Sequence, residues 1–493
     1  MKTILILFIL FTHSKILANV RINTAFNPFA NFIYQLDCVS DSLRACSSKN
    51  YKALWDLEFL KLKKDQELIK DWRNLKQRYS VSYQINSLEY DRFNIKNTNV
   101  NIQNKLRITS LQSKNIEDFL KRLDILLTQQ DKAKARLVVS HFYPKFLNWW
   151  NNQVQAKGQL FVNKSTQLLN RPDIVNKINQ FYNFYEASLN KDIKIPFNFY
   201  YRPNLVQNES TSGQQIEKYS VVEFFIDEKP EDRMDVAIHE LCHFFYHNSN
   251  TNKFKKFSHK FESSKRLSAK PALNLLNESL ATALGNGIIN KLLNSPEQWN
   301  KYLNRKNSFY NDFYIDQTAK AILPEVTTML SNKQSLYSPD FFQFYLDTIE
   351  STFGSRITAP SLILKNFILV GDSSYKKRFS NPLRQMIIPN SMYRSEGSWN
   401  HPKFISALEK NKHLNTLALI HPKNINKISE HQLLPNSLYK LINNEYKKNN
   451  NAIYSYLRPN NSYLFILIGK DHDSVLRLVE KLIQQKTGFT GFL

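Results

Sequence analysis

In the first part of the chain, apolar residues recur at steps of three and four positions among Lys, Asp and Glu. This spacing places the apolar side chains on one face of a helix, so it predicts amphipathic helices. The pattern runs through residues 51–190, with strong segments at 116–129 and 133–150. We therefore predict a helical N-terminal region over residues 19–190.

The pattern changes near Asp192, where short runs rich in β-branched and aromatic residues appear. Residues 193–201 and 220–226 predict strands, and the polar stretch 203–219 predicts a loop between them. Helices return at Pro230, because the first helical turn tolerates a residue without an N–H.

The helix that Pro230 opens is expected to end near His247. A basic loop at 252–270 leads to a further helix at about 271–293, and helical segments continue to about residue 370. Residues 191–400 are therefore predicted to form a core with a small antiparallel or mixed sheet.

Residues from about 401 onward combine both patterns and predict a small α/β appendage, 401–493. Its strands are expected at 416–420, 452–457 and 463–468, and its helices at 437–447 and 473–485. The predicted fold class is α+β and mostly helical.

Glycine is scarce, with 10 residues among 493. Glycine-rich phosphate loops and the G-x-S-x-G nucleophile elbow are both absent. The nearest fragment to a dinucleotide-binding motif, Gly285-Asn286-Gly287, lacks the third glycine of G-x-G-x-x-G. These absences argue against nucleotide binding and against a serine hydrolase.

The chain is strongly basic, with 67 Lys+Arg against 42 Asp+Glu and a formal net charge of +25. The basic residues are scattered in short groups rather than gathered in one segment. This pattern favours a generally basic surface, and we do not expect a nucleic-acid partner.

The first 18 residues have the layout of a secretory signal peptide. A lysine at position 2 precedes the apolar run Ile4–Phe11, and Ala18 offers a small residue for cleavage. We expect a secreted or periplasmic protein without a transmembrane segment in the mature chain; the alternative is an uncleaved N-terminal anchor.

Export permits disulfides, so Cys38 and Cys46 are predicted to pair, which leaves Cys242 as a buried free thiol.

Residues 239–243 read His239-Glu240-Leu241-Cys242-His243. On a helix, positions i and i+4 share one face, so the two imidazoles can bind one zinc ion at roughly 2.0–2.1 Å. Glu240 is rotated by about 100° from His239. It is therefore expected to act as a general base on water rather than as a ligand.

A catalytic zinc site needs a third protein ligand and an open position. His247, Glu262 and Glu278 are the candidates. His247 lies a further turn along the helix, and Glu262 lies in the basic loop. Glu278 is favoured, because it lies in the middle of a predicted helix among apolar and small residues, where a metal ion offsets the cost of burying a carboxylate.

His239-Glu240-x-x-His243, followed by Asn277-Glu278-x-x-Ala281, resembles the gluzincin metallopeptidases over about 45 residues. The resemblance implies a zincin-like core in which the two histidines and Glu278 hold Zn²⁺ and Glu240 activates water. It also implies that strand 220–226 is the edge strand along which an extended peptide lies.

Two features depart from that family. The G-x-M-E-N sequence of the zinc aminopeptidases is missing, which argues against an exopeptidase. Thr282 stands where thermolysin-like enzymes have an aspartate that supports a ligand histidine.

These observations predict an exported zinc-dependent peptidase that acts on a peptide or protein substrate. The alternatives are a zinc hydrolase of a non-peptide bond and a non-enzymatic secreted binding protein with a structural metal site. The sequence leaves open the cleavage preference, the oligomeric state and the donor to the oxyanion. Candidate donors are Tyr310, Tyr314, Tyr337, Tyr393 and His401.

Overall fold

The structure is a computed structural model. It describes residues 19–41, 48–79, 102–187, 192–206, 211–372, 374–375, 379, 382–383, 386–387, 391–394, 414–430, 434–449 and 451–493. The predicted signal peptide, residues 1–18, lies outside the described residues, as do Cys46, His401 and the side chain of Tyr393.

The described residues form mostly helices with two small mixed sheets, so the predicted α+β, mostly helical class is confirmed. The strands are β1 (Asn19–Ala25), β2 (Asp192–Arg202), β3 (Gly213–Ile216), β4 (Tyr219–Phe225), β5 (Asn366–Gly371), β6 (Ser391–Arg394), β7 (Asn415–Ile420), β8 (Asn451–Leu457), β9 (Tyr463–Gly469) and β10 (Gly491–Phe492).

The helices are α1 (Pro28–Val39), α2 (Ser48–Glu58), α3 (Lys63–Arg78), α4 (Ile102–Gln112), α5 (Ile116–Leu123), α6 (Gln129–Gln153), α7 (Gln155–Leu169), α8 (Pro172–Phe184), α9 (Glu231–His247), α10 (Thr251–Ser263), α11 (Ala269–Thr282), α12 (Asn290–Leu293), α13 (Pro296–Asn304), α14 (Phe313–Ser331), α15 (Phe341–Phe353), α16 (Pro360–Ile363), α17 (Lys427–Glu430), α18 (Asn436–Asn449) and α19 (His472–Ile483). A π-helical segment, Ala283–Ile289, joins α11 to α12 without a break.

The chain divides into two compact units. The first comprises Met1–Ser249 and Leu284–Asn304, and the second comprises Asn250–Ala283 and Arg305–Leu493.

The first unit is built on a four-stranded sheet in the order β1-β2-β4-β3. Strands β1, β2 and β4 run parallel, and β3 is the outer strand, antiparallel to β4. Two expectations are therefore wrong. The polar stretch 203–219 contains the strand Gly213–Ile216, and strand 220–226 is not the edge strand, because β2 and β3 flank it. All but the last residue of β4 are buried, as expected for a strand with neighbours on both sides.

Aromatic side chains fill the helical part of the first unit. Trp55 stacks near Phe32, with ring centroids 6.1 Å apart, and Phe146 lies 5.6 Å from Trp150. All four side chains are fully buried. They come from α1, α2 and α6, so the apolar faces that the sequence predicts converge on one core.

The second unit contains a six-stranded sheet in the order β10-β8-β9-β7-β5-β6. Strands β6, β5, β7 and β9 are parallel, and β8 and β10 are antiparallel to their neighbours. Apolar clusters cover both faces of this sheet. Burial on both faces explains why β9 reads as a continuous apolar run.

The basic stretch 252–270 is not the expected loop, because most of it forms helix α10. Phe257 and Phe261 are buried one turn apart, and the lysines of α10 lie toward solvent. The burial of this i, i+4 aromatic pair outweighs the polar composition of the segment.

The two predictions that can be checked for the cysteines concern Cys38 and Cys242, because Cys46 lies outside the described residues. Cys38 is disulfide-bonded, and Cys242 is free and buried. Within the described part of the chain, no helix is both long enough and apolar enough to cross a membrane.

Candidate metal centre

Helix α9 places the His-Glu segment in the protein interior. The helix begins at Glu231, directly after Pro230, with Glu231 and Asp232 near its positive N-terminal end. His239, Glu240 and His243 are buried, each with less than a tenth of its surface exposed. Such polar burial needs partners to offset the cost of desolvation.

The two imidazoles face each other across one helical turn. Nε2 of His239 lies 3.0 Å from Nε2 of His243. Two nitrogen ligands in a tetrahedral zinc site lie about 3.4 Å apart. The observed separation is close to that value, so both rings present their Nε2 atoms toward one point.

The structure adds the favoured third residue to this pair. One ligand atom from each of His239, His243 and Glu278 lies within 4.8 Å of the other two. This group of two imidazole nitrogens and one carboxylate oxygen could hold a metal ion. We refer to these three residues as the His-His-Glu group.

The two rejected candidates lie elsewhere. Nδ1 of His247 lies 2.7 Å from the backbone carbonyl of His243, so its ring is engaged with its own helix. Glu262 is exposed on α10, with Oε2 4.0 Å from Nδ1 of His259. Neither residue belongs to the His-His-Glu group.

The two residues between Glu240 and His243 serve packing. Leu241 and Cys242 are fully buried, as the helical positions predict. Burial raises the pKa of the Cys242 thiol well above its usual value, and the nearby Glu240 carboxylate raises it further. The thiol therefore behaves as a small neutral side chain.

His239 is oriented by Asn286, a residue for which the sequence predicted no role. Its Nδ1 atom lies 2.9 Å from Oδ1 of Asn286, which lies in the π-helical segment. The Asn286 Nδ2 group donates to Oδ2 of Asp235 at 3.1 Å. Because a carboxylate only accepts, this contact fixes the amide with Oδ1 toward His239. His239 then carries its proton on Nδ1, and its Nε2 lone pair is available to a metal.

Asp235 anchors this arrangement. It lies one turn before His239 on α9, and it also accepts from the Val236 N–H at 2.7 Å and from Asn290 Nδ2 at 3.4 Å. Burial raises the pKa of the Asp235 carboxyl, and the hydrogen bonds from Asn286 and Val236 oppose that rise. The result is a continuous hydrogen-bonded path from α9 through Asn286 and back to α9.

A glycine makes the approach of Asn286 possible. A Cβ atom at Gly285 would lie 2.6 Å from the backbone N and 2.7 Å from the Cα of His239. It would also lie 2.8 Å from the carbonyl oxygen of Asp235. Only a residue without a side chain permits this backbone contact.

Two residues of the fragment Gly285-Asn286-Gly287, Gly285 and Asn286, therefore contact His239 of the candidate metal centre. Thr282, at the position where thermolysin-like enzymes have their supporting aspartate, is buried, and its hydroxyl has no hydrogen-bond partner among the described residues. The sequence signal for the support of His239 by Asn286 is the glycine beside it, Gly285, which lies two helical turns after Glu278.

Comparisons with known proteins add nothing to this geometry. No family model, curated protein or solved structure gives a significant match to this chain. The residues of the His-His-Glu group and their neighbours are therefore the basis for a functional assignment.

Proposed function

We propose that this chain is an exported zinc-dependent peptidase, with zinc held by His239, His243 and Glu278. The observation that carries the proposal is the convergence of the two Nε2 atoms, 3.0 Å apart, with the Glu278 carboxylate. Two imidazoles and one carboxylate are a donor set typical of catalytic zinc, which also keeps one position open for water or substrate.

The surroundings of the His-His-Glu group support zinc over a purely structural polar cluster. Asn286 leaves the Nε2 atom of His239 without a proton, which is the form a metal requires. When bound, zinc would polarise the scissile carbonyl and lower the pKa of an attacking water.

Glu240 is the general base of the proposed reaction. It follows His239 directly on α9, and it is buried beside Gly213 of β3. Its carboxylate would accept the proton of the attacking water and deliver that proton to the leaving amine. A buried site strengthens this role, because excluded water leaves the carboxylate less well solvated.

Strand β3 offers a place for the substrate. It is the outer strand of the four-stranded sheet, and its first residue, Gly213, is next to Glu240. An extended peptide could pair with its outer edge by strand addition. This assignment replaces 220–226 as the proposed substrate strand.

The test compares hydrolysis of an unfolded protein substrate by the zinc-loaded wild type, Glu240→Gln and Glu262→Gln. Glu262 is a matched control, because it is an exposed glutamate outside the His-His-Glu group. We expect Glu240→Gln to lose about 100-fold or more in kcat, as for removal of a general base. Glu262→Gln should keep wild-type activity. Equal hydrolysis by all three proteins would refute the peptidase proposal.

A further inference from the structure

Gly213, the first residue of β3, lies against the part of α9 that carries Glu240. A Cβ atom at Gly213 would lie 2.8 Å from both Cγ and Oε1 of Glu240. It would also lie 3.0 Å from Cγ1 of Val236, one turn earlier on α9. Real Cβ atoms essentially never approach other atoms at 2.8 Å, so the space beside Gly213 belongs to the Glu240 side chain.

The strand is anchored where it meets Glu240. The backbone N–H of Ser212 donates to Oε2 of Glu223 at 3.0 Å, and the Ser212 hydroxyl donates to the same oxygen at 2.8 Å. The Glu223 N–H in turn donates to the Ser212 carbonyl at 2.9 Å. Three hydrogen bonds therefore hold the residue before Gly213 to β4.

Glu223 is itself rigidly held. Arg202 donates to its Oε2 at 2.9 Å, and both residues are about 1% exposed. The hydroxyls of Tyr34 and Tyr51 donate to Oε1 at 3.0 Å and 2.7 Å. A carboxylate with this many charge-assisted and neutral hydrogen bonds in a buried site has little freedom to move.

We propose that Gly213 is a positioning residue for Glu240. The absence of a side chain at Gly213 keeps open the space that the Glu240 carboxylate occupies, and the Glu223 anchor prevents β3 from moving away. A side chain at Gly213 would therefore displace the flexible end of Glu240 rather than the strand. The expected effect on catalysis rests on the proposed function. The expected displacement of the Glu240 carboxylate does not depend on any activity.

The catalytic consequence follows from the precision that proton transfer needs. A displacement of about 1 Å can lower the rate by about 100-fold. A Cβ at Gly213 has its nearest contacts with Glu240 and Val236, and none of these is in the His-His-Glu group. Metal binding should therefore not change. Gly213→Ala should therefore slow proton transfer by Glu240 and leave the metal content unchanged.

The experiment is a double-mutant cycle between Gly213→Ala and Glu240→Asp, with zinc content and thermal stability measured for each protein. Aspartate is one methylene shorter, so it leaves room for the added methyl group. We expect Gly213→Ala to lower kcat by about 10- to 100-fold in the wild-type background, with KM and zinc content little changed. In the Glu240→Asp background the same substitution should have a much smaller effect.

Glu217→Gln is the control. Glu217 lies just after β3, and its exposed carboxylate pairs with Lys105 at 2.6 Å. This variant should keep wild-type kcat. A loss of equal size for Gly213→Ala in both backgrounds would overturn the proposal, because the effect would then not act through Glu240.

A crystal structure of Gly213→Ala decides the inference even if the wild type proves not to be a peptidase. We expect the Glu240 carboxylate to be displaced while β3 and Ser212 keep their positions. An unmoved Glu240 with a shifted β3 would overturn the proposal. Absence of hydrolysis by the wild type would instead refute the proposed function.

Discussion

Nδ1 of His239 and Oδ1 of Asn286 lie 2.9 Å apart, and this contact sets the tautomer of the first predicted metal ligand. Asn286 is held in turn by Asp235 on the helix that carries His239. The orientation of the ligand thus depends on a residue in the π-helical segment, 47 positions along the chain.

Removing this support should weaken metal binding. Asn286→Ala removes the acceptor that holds the proton of His239 on Nδ1, and loss of such supporting contacts lowers metal affinity by about 10- to 100-fold. Zinc affinity by competition with a chelator measures the effect. Asn290→Ala is the matched control, because Asn290 bonds Asp235 without a hydrogen bond to His239. Equal affinities for both variants and the wild type would refute the role of Asn286.

Gly285→Ala should disturb both folding and metal binding. The added methyl group would meet the backbone of His239, which cannot rotate away, so we expect a loss of about 1–3 kcal/mol in unfolding free energy. Denaturant unfolding measures that loss, and chelator competition measures the accompanying fall in zinc affinity. Gly354→Ala, where a Cβ meets nothing within 4 Å but the backbone has φ +54° and ψ −132°, should cost about 1–3 kcal/mol and leave zinc affinity unchanged. An unchanged zinc affinity for Gly285→Ala would contradict the account.

Glu223→Gln should strongly destabilise the first unit. The substitution leaves the buried guanidinium of Arg202 without its opposite charge, which costs about 3–5 kcal/mol. Glu217→Gln breaks an exposed pair with Lys105 and should cost at most about 1 kcal/mol. Urea unfolding compares the two. Similar losses for both variants would show that the Glu223 anchor is weak.

Asp65 should make stability depend on pH at the acidic end. Burial opposes ionisation, but hydrogen bonds from His141 and from the Leu62 N–H outweigh it and lower the pKa of the Asp65 carboxyl. A carboxyl whose pKa is lower in the folded state stabilises above its unfolded pKa of about 3.9, and that stabilisation disappears as the pH falls through the folded pKa.

Asp65→Asn should therefore lower the free energy of unfolding by about 1–3 kcal/mol at pH 7. The difference from wild type should shrink below about pH 4. Thermal unfolding at pH 7 and pH 3 measures both values. Asp56→Asn removes the same charge from an exposed position and should have little effect at either pH. A difference that stays constant with pH would contradict this assignment.

Most regular elements could be predicted from local pattern. The strands at 193–201, 452–457 and 463–468 match β2, β8 and β9 within one or two residues, because their apolar runs are short and bounded by polar residues. The helix that bears His239 follows from Pro230 and the acidic residues after it. These signals are local, so one sequence is enough to read them.

The errors come from contacts made over long distances. Strand β3 reads as a loop, since Gly213-Gln214-Gln215 carries no apolar alternation and is stabilised by pairing with β4. Similarly, the edge position of β3 depends on sheet order, which the pattern of one strand does not contain. Helix α10 is not predicted from its lysine-rich sequence, because its phenylalanines are buried against distant residues. Phe257 lies against Phe341 and Phe261 against Phe342, both on α15.

The chemistry of the site was only partly accessible. The i, i+4 histidines and Glu278 follow from helical geometry and residue type. Asn286 does not, because a π-helical segment shifts the residues that face α9 relative to a regular helix. Gly285 gave the useful hint, since a glycine inside a helix often marks close backbone contact.

The central claim is that His239, His243 and Glu278 together hold one metal ion. The most direct measurement is the metal content of purified protein by native mass spectrometry, with elemental analysis to identify the ion. We predict one zinc per chain for the wild type and for Glu240→Gln, and little or none for Glu278→Ala. Wild-type protein without bound zinc after incubation with a zinc salt, or a Glu278→Ala variant with undiminished zinc content, would contradict the account.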